Sequence, residues 1–155
     1  MNRIFICLTV LALSAILCTS CNNGNQLVRP DGMPELCPCS VTVTFGGKTI
    51  EGVIVLVTPE DASKWGASGS TDKNGTAVLS TSYGFKGVPA GKYVIAFTRI
   101  IQNPNFNEND PKSMPFHSLI PAKYGQGKST EKVEIKAGEK NVFSFALDAG
   151  EEFVQ

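Results

Sequence analysis

The clearest structural signal in the chain is the stretch Val41-Thr42-Val43-Thr44-Phe45-Gly46-Gly47. Valine and phenylalanine alternate with threonine, which is typical of a β-strand with one buried and one exposed face. Gly46-Gly47 then predicts a tight turn, because glycine adopts the positive φ angles that a two-residue hairpin turn needs. The next stretch, Gly52-Val53-Ile54-Val55-Leu56-Val57, is apolar without alternation and indicates a strand buried on both faces.

Turn signals and short apolar runs continue along the rest of the chain. Asp72-Lys73-Asn74-Gly75 predicts a hairpin turn, after which residues 76–81 return beside residues 67–71. Beyond position 40, apolar residues never recur with helical spacing over three turns. The sequence therefore predicts an all-β domain, an antiparallel β-sandwich over residues 40–148. The seven predicted strands are 41–45, 52–57, 67–71, 76–81, 92–101, 131–135 and 141–147.

The first twenty residues have the composition of an export signal. Arg3 supplies a positive charge, and the run from Ile4 to Leu17 has no charged residue. This run is shorter than the roughly 20 residues that a membrane-spanning helix needs. Small residues, Thr19 and Ser20, come next. We therefore expect residues 1–20 to be a cleaved signal peptide.

The segment Leu17-Cys18-Thr19-Ser20-Cys21 resembles the lipobox of bacterial lipoproteins, although Cys18 stands where the lipobox usually has leucine. The resemblance implies cleavage before Cys21 and acylation of that cysteine. Several acyl chains hold a protein firmly on a membrane. Cys21 is thus the predicted lipidation site, with the membrane as partner and the bacterial cell envelope as location. The alternative is ordinary cleavage after Ser20, which releases a soluble secreted protein.

Residues 21–39 are predicted to tether the lipid to the domain, since they are polar and rich in turn formers. Asn22 favours the outer membrane, because aspartate at this position would favour retention on the inner one. Cys37-Pro38-Cys39 ends the tether. Exported proteins favour disulfides, but a bridge between residues two apart closes a small, strained ring. A local disulfide between Cys37 and Cys39, two idle thiols and a redox-active bridge all remain open.

The charge balance excludes several classes of protein. Fourteen Lys and Arg residues match fourteen Asp and Glu residues, so there is no basic surplus for nucleic acid. The single histidine, His117, leaves few routes to acid–base or metal chemistry and cannot complete a zinc site with Cys37 and Cys39. We expect no cofactor, no metal site and no enzymatic activity.

Some motifs superficially indicate a site. Gly66-Ala67-Ser68-Gly69-Ser70 resembles a nucleophile elbow but lacks its final glycine and its strand–turn–helix context. The segments 72–75 and 105–110 carry oxygen ligands but lack the glycine and closing glutamate of a calcium loop. Trp65 lies in a predicted loop, where an exposed indole can stack on a sugar or grip a partner, although tryptophan also fills cores. The long segment 102–122 is a functional loop or a cap on the sandwich.

Three motifs together indicate a family. They are the opening Gly46-Gly47-Lys48-Thr49-Ile50-Glu51-Gly52-Val53-Ile54-Val55, the turn Thr71-Asp72-Lys73-Asn74-Gly75 and Pro89-Ala90-Gly91-Lys92-Tyr93; segments 120–124 and 133–141 extend the match. These motifs resemble the carboxypeptidase regulatory-like domains of small bacterial lipoproteins of the planctomycete type. The resemblance implies a transthyretin-like, seven-stranded Greek-key sandwich without a catalytic set, and it identifies no ligand.

The sequence therefore predicts a non-catalytic, lipid-anchored module of the cell envelope that contacts a protein or a surface. Residues 149–155 are predicted to be a short C-terminal tail. One alternative is a carbohydrate-binding sandwich that uses loop aromatics such as Trp65. A second alternative is a thiol redox protein that uses Cys37 and Cys39.

Overall fold

The computed structural model describes residues 27–148, so the predicted signal peptide, Cys21 and the tail lie outside the described residues. Within this range, the regular structure is β-strand except for one short 3-10 helix, Ala122–Tyr124. The seven predicted strands are all found, some divided into shorter pieces. The strands are β1 (Leu36–Cys37), β2 (Cys39–Phe45), β3 (Lys48–Thr49), β4 (Ile54–Pro59), β5 (Ala67–Ser70), β6 (Thr76–Val78), β7 (Ser80–Thr81), β8 (Val88–Pro89), β9 (Gly91–Thr98), β10 (Ile100–Gln102), β11 (Phe116–Ser118), β12 (Lys132–Ile135) and β13 (Asn141–Leu147).

Two main sheets organise these strands. The larger sheet has five antiparallel strands in the order β12-β9-β4-β5-β7. In the smaller sheet β2 lies between β13 and β3, and β2 also pairs with β6. Two further pairs, β1 with β8 and β10 with β11, are short antiparallel ribbons.

The two main sheets enclose a common apolar core. Val41 and Val43 of β2 are completely buried, as the alternation predicts for the inward positions of a strand. Val55 of β4 is also completely buried, but Ile54 is 47% exposed. The prediction that this strand is buried on both faces is therefore wrong, because the outer face of an antiparallel sheet can meet solvent. Phe97 of β9 and Phe145 of β13 bring the sheets into contact, with ring centroids 5.1 Å apart. The prediction of an all-β, sandwich-like domain is therefore confirmed.

One strand departs from the predicted antiparallel arrangement. β13 runs parallel to β2, with Asn141 beside Cys39 and Leu147 beside Phe45. The two strands lie almost a hundred residues apart in sequence, so no hairpin turn fixes their relative direction. Their direction depends on the path of the whole chain, which short sequence patterns do not encode.

A turn forms at 72–75, but it joins strands of different sheets and is therefore not the predicted hairpin. One carboxylate oxygen of Asp72 accepts hydrogen bonds from the backbone N–H groups of Asn74 and Thr76, both at 2.9 Å. Gly75 adopts a φ of 73°, which glycine tolerates at no steric cost. The carboxylate therefore acts as a structural acceptor within the turn, and this use favours the turn interpretation over a calcium loop.

The predicted pairing of residues 76–81 with residues 67–71 is wrong for the first half of this segment. Residues 76–78 form β6, which pairs with β2 in the smaller sheet, and only β7 pairs with β5. The chain passes very close to β5, since a Cβ atom on Gly69 would lie 2.6 Å from the carbonyl oxygen of Val78. A glycine on β5 therefore permits the crossing between sheets, which a pattern of alternating residues cannot reveal.

A similar division affects the predicted strand 92–101. It is interrupted at Arg99, and β10 leaves the larger sheet to pair with β11. The backbone carbonyl of Arg99 accepts a 2.8 Å hydrogen bond from the N–H of Leu119. The two strands and the loop between them form one excursion, residues 100–118, and this excursion occupies most of the predicted long loop.

Candidate functional site

Cys21, the predicted lipidation site, lies outside the described residues. Within residues 27–148, no helix is long and apolar enough to cross a membrane. The other predicted site residues do fall in this range. Trp65 lies between β4 and β5, and Cys37 and Cys39 lie at the junction of β1 and β2.

Trp65 belongs to a pair of aromatic residues at the surface. Its ring lies 5.0 Å from the ring of Tyr83, centroid to centroid, with the two planes inclined by 43°. Trp65 is half-buried, whereas Tyr83 is 57% exposed. Two rings that pack side by side at the surface offer an apolar area with polar N–H and O–H tips, the chemistry that suits a sugar or a protein partner.

Hydrogen bonds from neighbouring strands fix the backbone around Trp65. The buried Tyr93 hydroxyl lies 2.8 Å from the carbonyl oxygen of Pro89 and 3.4 Å from that of Trp65. Lys64 donates a 3.1 Å hydrogen bond to the carbonyl of Ala90. The loop that carries Trp65 is thus tied to the start of β9. These hydrogen bonds fix the backbone from which the indole projects.

Sequence patterns do not identify Tyr83 as a partner of Trp65. The available signal was the segment Ser82-Tyr83-Gly84, in which an aromatic residue precedes a glycine in a turn. Gly84 has a φ of 84°. The partnership itself depends on β7 lying beside β5, and this pairing brings the turn after β7 towards the loop before β5.

The two cysteines are free thiols, and both are buried at the edge of the core. Cys37 pairs with Val88 in the small β1–β8 ribbon, and Cys39 begins β2 beside Asn141. Their side chains share one face because they are two residues apart in extended backbone. The described structure therefore brings the thiols together without a bond, and the disulfide stays a prediction.

Burial controls the acidity of this thiol pair. Removal from water, with a smaller contribution from the adjacent Cys37, raises the pKa of the Cys39 thiol from its usual 9.0 to about 11. Burial likewise raises the pKa of Tyr93 to about 12, with smaller contributions from the same two cysteines. Because the thiolate is the reactive form, a thiol that stays protonated at neutral pH is a poor nucleophile.

A groove opens over the same junction on the outer side. Its volume is about 480 Å³, and the apolar part of its lining includes Val78, which is 58% exposed. Lys86, Lys140 and Cys39 also line the groove. The groove therefore combines an apolar surface with two positive charges.

The 100–118 excursion carries the largest group of exposed apolar side chains among the described residues. Ile100 and Phe116 are both 59% exposed, and the pairing of β10 with β11 places them on the same face of the ribbon. Phe106 and Met114, in the loop between the strands, are also exposed. Clustered exposed apolar residues mark interaction surfaces more often than isolated ones do.

The remaining candidate motifs have structural roles. Ser68, the serine of the elbow-like motif, belongs to β5 of the larger sheet, and His117 belongs to the separate β10–β11 ribbon. The two residues therefore do not lie on the same sheet. The side-chain oxygens of Asn103 and Asn107 accept hydrogen bonds from backbone N–H groups two residues further on, at 3.0 Å. Within residues 27–148, no three His, Cys, Asp or Glu side chains form a cluster suited to a metal ion.

Comparison with known proteins adds no assignment. No family model, curated protein or solved structure matches the chain at a significant level.

Proposed function

We propose that the chain is a non-catalytic, lipid-anchored module of the bacterial cell envelope that contacts a protein or a surface. The observation that carries the interaction role is the 100–118 excursion, which projects from the sandwich and exposes Ile100, Phe106, Met114 and Phe116. Binding is favourable when a partner removes exposed apolar side chains from water, because their burial lowers the free energy. The anchor is supported by the resemblance of residues 17–21 to a lipobox.

Cell fractionation of cysteine variants tests the anchor. We expect Cys21→Ser to move the protein from the membrane fraction to the soluble fraction, because it removes the acylated thiol. Cys7→Ser is the matched control, since it changes a cysteine outside the lipobox-like segment 17–21 and keeps the predicted attachment site. Retention of the Cys21→Ser protein on the membrane would overturn the anchor, as would equal release of both variants.

Cross-linking in intact cells tests the interaction role of the excursion. Phe116→Ser should reduce the cross-linked products formed by the protein, because it removes an exposed ring from the contact surface. Val78→Ser is the matched control, since Val78 is nearly as exposed as Phe116 but lies on β6. If both variants keep the full set of products, the excursion is not the contact surface.

Carbohydrate binding is a second candidate, favoured by the contact between Trp65 and Tyr83. Stacking on an aromatic ring is a common way to bind the apolar face of a sugar. Glycan binding by the purified protein should be lost in both Trp65→Ala and Tyr83→Ala and kept in Phe106→Ala, another exposed aromatic variant. No binding across a broad glycan panel would remove this candidate.

The thiol redox alternative has weaker support. Burial keeps the Cys39 thiol protonated well above neutral pH, and exchange reactions need a thiolate. Measurement of the reduction potential of the Cys37–Cys39 pair tests this alternative. A potential in the stable structural range would remove it.

We also propose that the sandwich is a transthyretin-like Greek key of the carboxypeptidase regulatory-like family. The motif positions support this assignment: Gly46, Gly47 and Gly75 lie in turns with positive φ, and the segment 89–93 runs from the end of β8 into β9. The parallel pairing of β13 with β2 is compatible with a chain that returns to its first long strand at the end of the domain. An experimental structure with a different order of strands in either main sheet would overturn the assignment.

A further inference from the structure

The outer edge of the smaller sheet is formed by β13, a strand of seven residues without a charge or a proline. β2 is its only strand neighbour within residues 27–148. An edge strand with these properties presents unpaired backbone groups that readily pair with another chain. This edge is therefore a candidate surface for pairing with another chain.

The other sheet edges are short or charged. In the larger sheet, β12 carries Lys132 and Glu134, and β7 at the opposite edge has two residues. In the smaller sheet, β3 has two residues and includes Lys48, and β6 has three residues. Charge and short length are common means by which proteins prevent edge pairing. β13 has neither, so it differs from every other outer strand of the two main sheets in the described part of the chain.

The direction of the free backbone groups follows from the pairing with β2. The N–H of Asn141 donates to Pro38 and the carbonyl of Leu147 accepts from Gly46, so the odd-numbered residues of β13 bond to β2. Backbone groups of successive residues in a strand point to opposite edges. The N–H and C=O groups of Val142, Ser144 and Ala146 therefore point away from the sheet, and the side chains of these three residues are exposed.

We propose that β13 pairs with β13 of a second copy of this chain, antiparallel and centred on Ser144. In this register Ser144 lies opposite its own copy and Val142 lies opposite Ala146, so all the outward N–H and C=O groups of these residues find partners. The arrangement has twofold symmetry, as most homodimers do. This inference goes beyond the proposed function, because it depends on β13 and its flanking residues and holds with or without a lipid anchor.

Charge complementarity identifies the second copy as the occupant. The residues that flank β13 are Lys140 and Asp148, and the register centred on Ser144 places Lys140 of each copy opposite Asp148 of the other. The side chain of Asp148 is 80% exposed, and its carboxylate uses only the Oδ2 atom in its ion pair with Lys123 and its hydrogen bond from Tyr124. The two ends of the paired strands therefore bring opposite charges together twice, and the centre brings no charges together.

Symmetric disulfide trapping tests the pairing. A hydrogen-bonded antiparallel pair holds its Cα atoms about 5.5 Å apart, within the range of a disulfide. In intact cells that express the full chain and are treated with a thiol oxidant, Ser144→Cys should form a covalent dimer. We expect its yield to exceed that of Val78→Cys by about fivefold or more, since Val78 is an exposed position on β6. Equal yields from the two variants would overturn the proposal.

A charge swap tests the register. On the Ser144→Cys background, Lys140→Glu places like charges opposite each other at both ends and should lower the dimer yield by about threefold or more. Adding Asp148→Lys restores opposite charges and should restore the yield. A yield that ignores Lys140→Glu, or stays low in the double swap, contradicts the register. If trapping occurs only after residues 149–155 are deleted, the chain's own tail covers the edge and the proposal is overturned.

Discussion

Phe97 and Phe145 join the two main sheets, with ring centroids 5.1 Å apart and ring planes inclined by 56°. Phe97 is 1% exposed on β9, an interior strand of the larger sheet, whereas Phe145 is half-buried on the edge strand β13. Because tilted aromatic pairs attract beyond the area that they bury, this contact holds β13 against the sandwich. The position of the proposed dimer edge therefore depends on it.

The energy of this contact is measurable by a double-mutant cycle. Phe97→Ala should lower the free energy of unfolding by about 3–5 kcal/mol, since it empties a buried site. The coupling energy between Phe97→Ala and Phe145→Ala should be about 0.5–1.5 kcal/mol. Phe143, another half-buried residue of β13, provides the control pair with Phe97 and should couple more weakly. Equal coupling in urea unfolding experiments would contradict a specific ring contact.

The buried hydroxyl of Thr71 provides a second test. It donates to the carbonyl of Ile50 at 2.6 Å and accepts from the N–H of Val53 at 2.9 Å. Thr71→Val should lower the free energy of unfolding by about 1–3 kcal/mol, because both backbone groups lose their buried partner. Thr71→Ser keeps the hydroxyl and should cost less, as measured by urea unfolding. A larger loss in the serine variant would contradict this role.

Gly75 and Gly138 separate backbone strain from close packing. Both have a φ near 70°, but a Cβ on Gly75 would lie 2.6 Å from the carbonyl oxygen of Val43, while a Cβ on Gly138 has nothing within 4 Å. Gly138→Ala should cost about 1–2 kcal/mol from conformation alone. Gly75→Ala should cost more, since the turn must also move away from β2. Thermal unfolding compares them, and equal losses would contradict the close approach.

The buried thiol makes stability depend on pH in alkaline solution. Cys39 loses its proton near pH 9.0 in the unfolded chain and near about 11 in the folded one. Between these values the unfolded state binds fewer protons, so the free energy of unfolding falls as the pH rises. Well below pH 9.0 the Cys39 thiol is protonated in both states, so its contribution to the free energy of unfolding is fully present and no longer changes with pH.

Urea unfolding across this pH range tests the effect of the thiol. Cys39→Ala should make the decline shallower than in the unsubstituted protein. Cys37→Ala should largely keep the decline, because it leaves the main cause, the burial of Cys39, in place. The decline that remains in Cys39→Ala should include the hydroxyl of Tyr93, whose pKa burial raises to about 12. An unchanged decline in Cys39→Ala would contradict the assignment.

Local patterns predict the strands of this fold well. The alternation at 41–45 specifies the inward face of β2, because an apolar residue at every second position can bury only one face. Gly46 and Gly47 both have positive φ, as the turn prediction requires. A turn also forms at 72–75, where the Asp72 carboxylate accepts hydrogen bonds from the backbone of its own turn. These features depend on residues close together in sequence.

Partnerships between distant segments were not predictable from the same patterns. The parallel direction of β13 beside β2 and the transfer of β6 to the smaller sheet depend on the three-dimensional path of the chain. The contact between Trp65 and Tyr83 has the same origin, because it requires β7 to lie beside β5. Trp65 alone was therefore recognisable as a candidate, whereas the aromatic pair was not.

The proposed function depends most on the chemistry of Cys21, and mass spectrometry of the protein extracted from membranes tests it most directly. We expect an N-terminal peptide that begins at Cys21 and carries the mass of its acyl chains, and that disappears in Cys21→Ser. An unmodified peptide that begins at Cys21, or a chain that keeps residues 1–20, would contradict lipidation at Cys21.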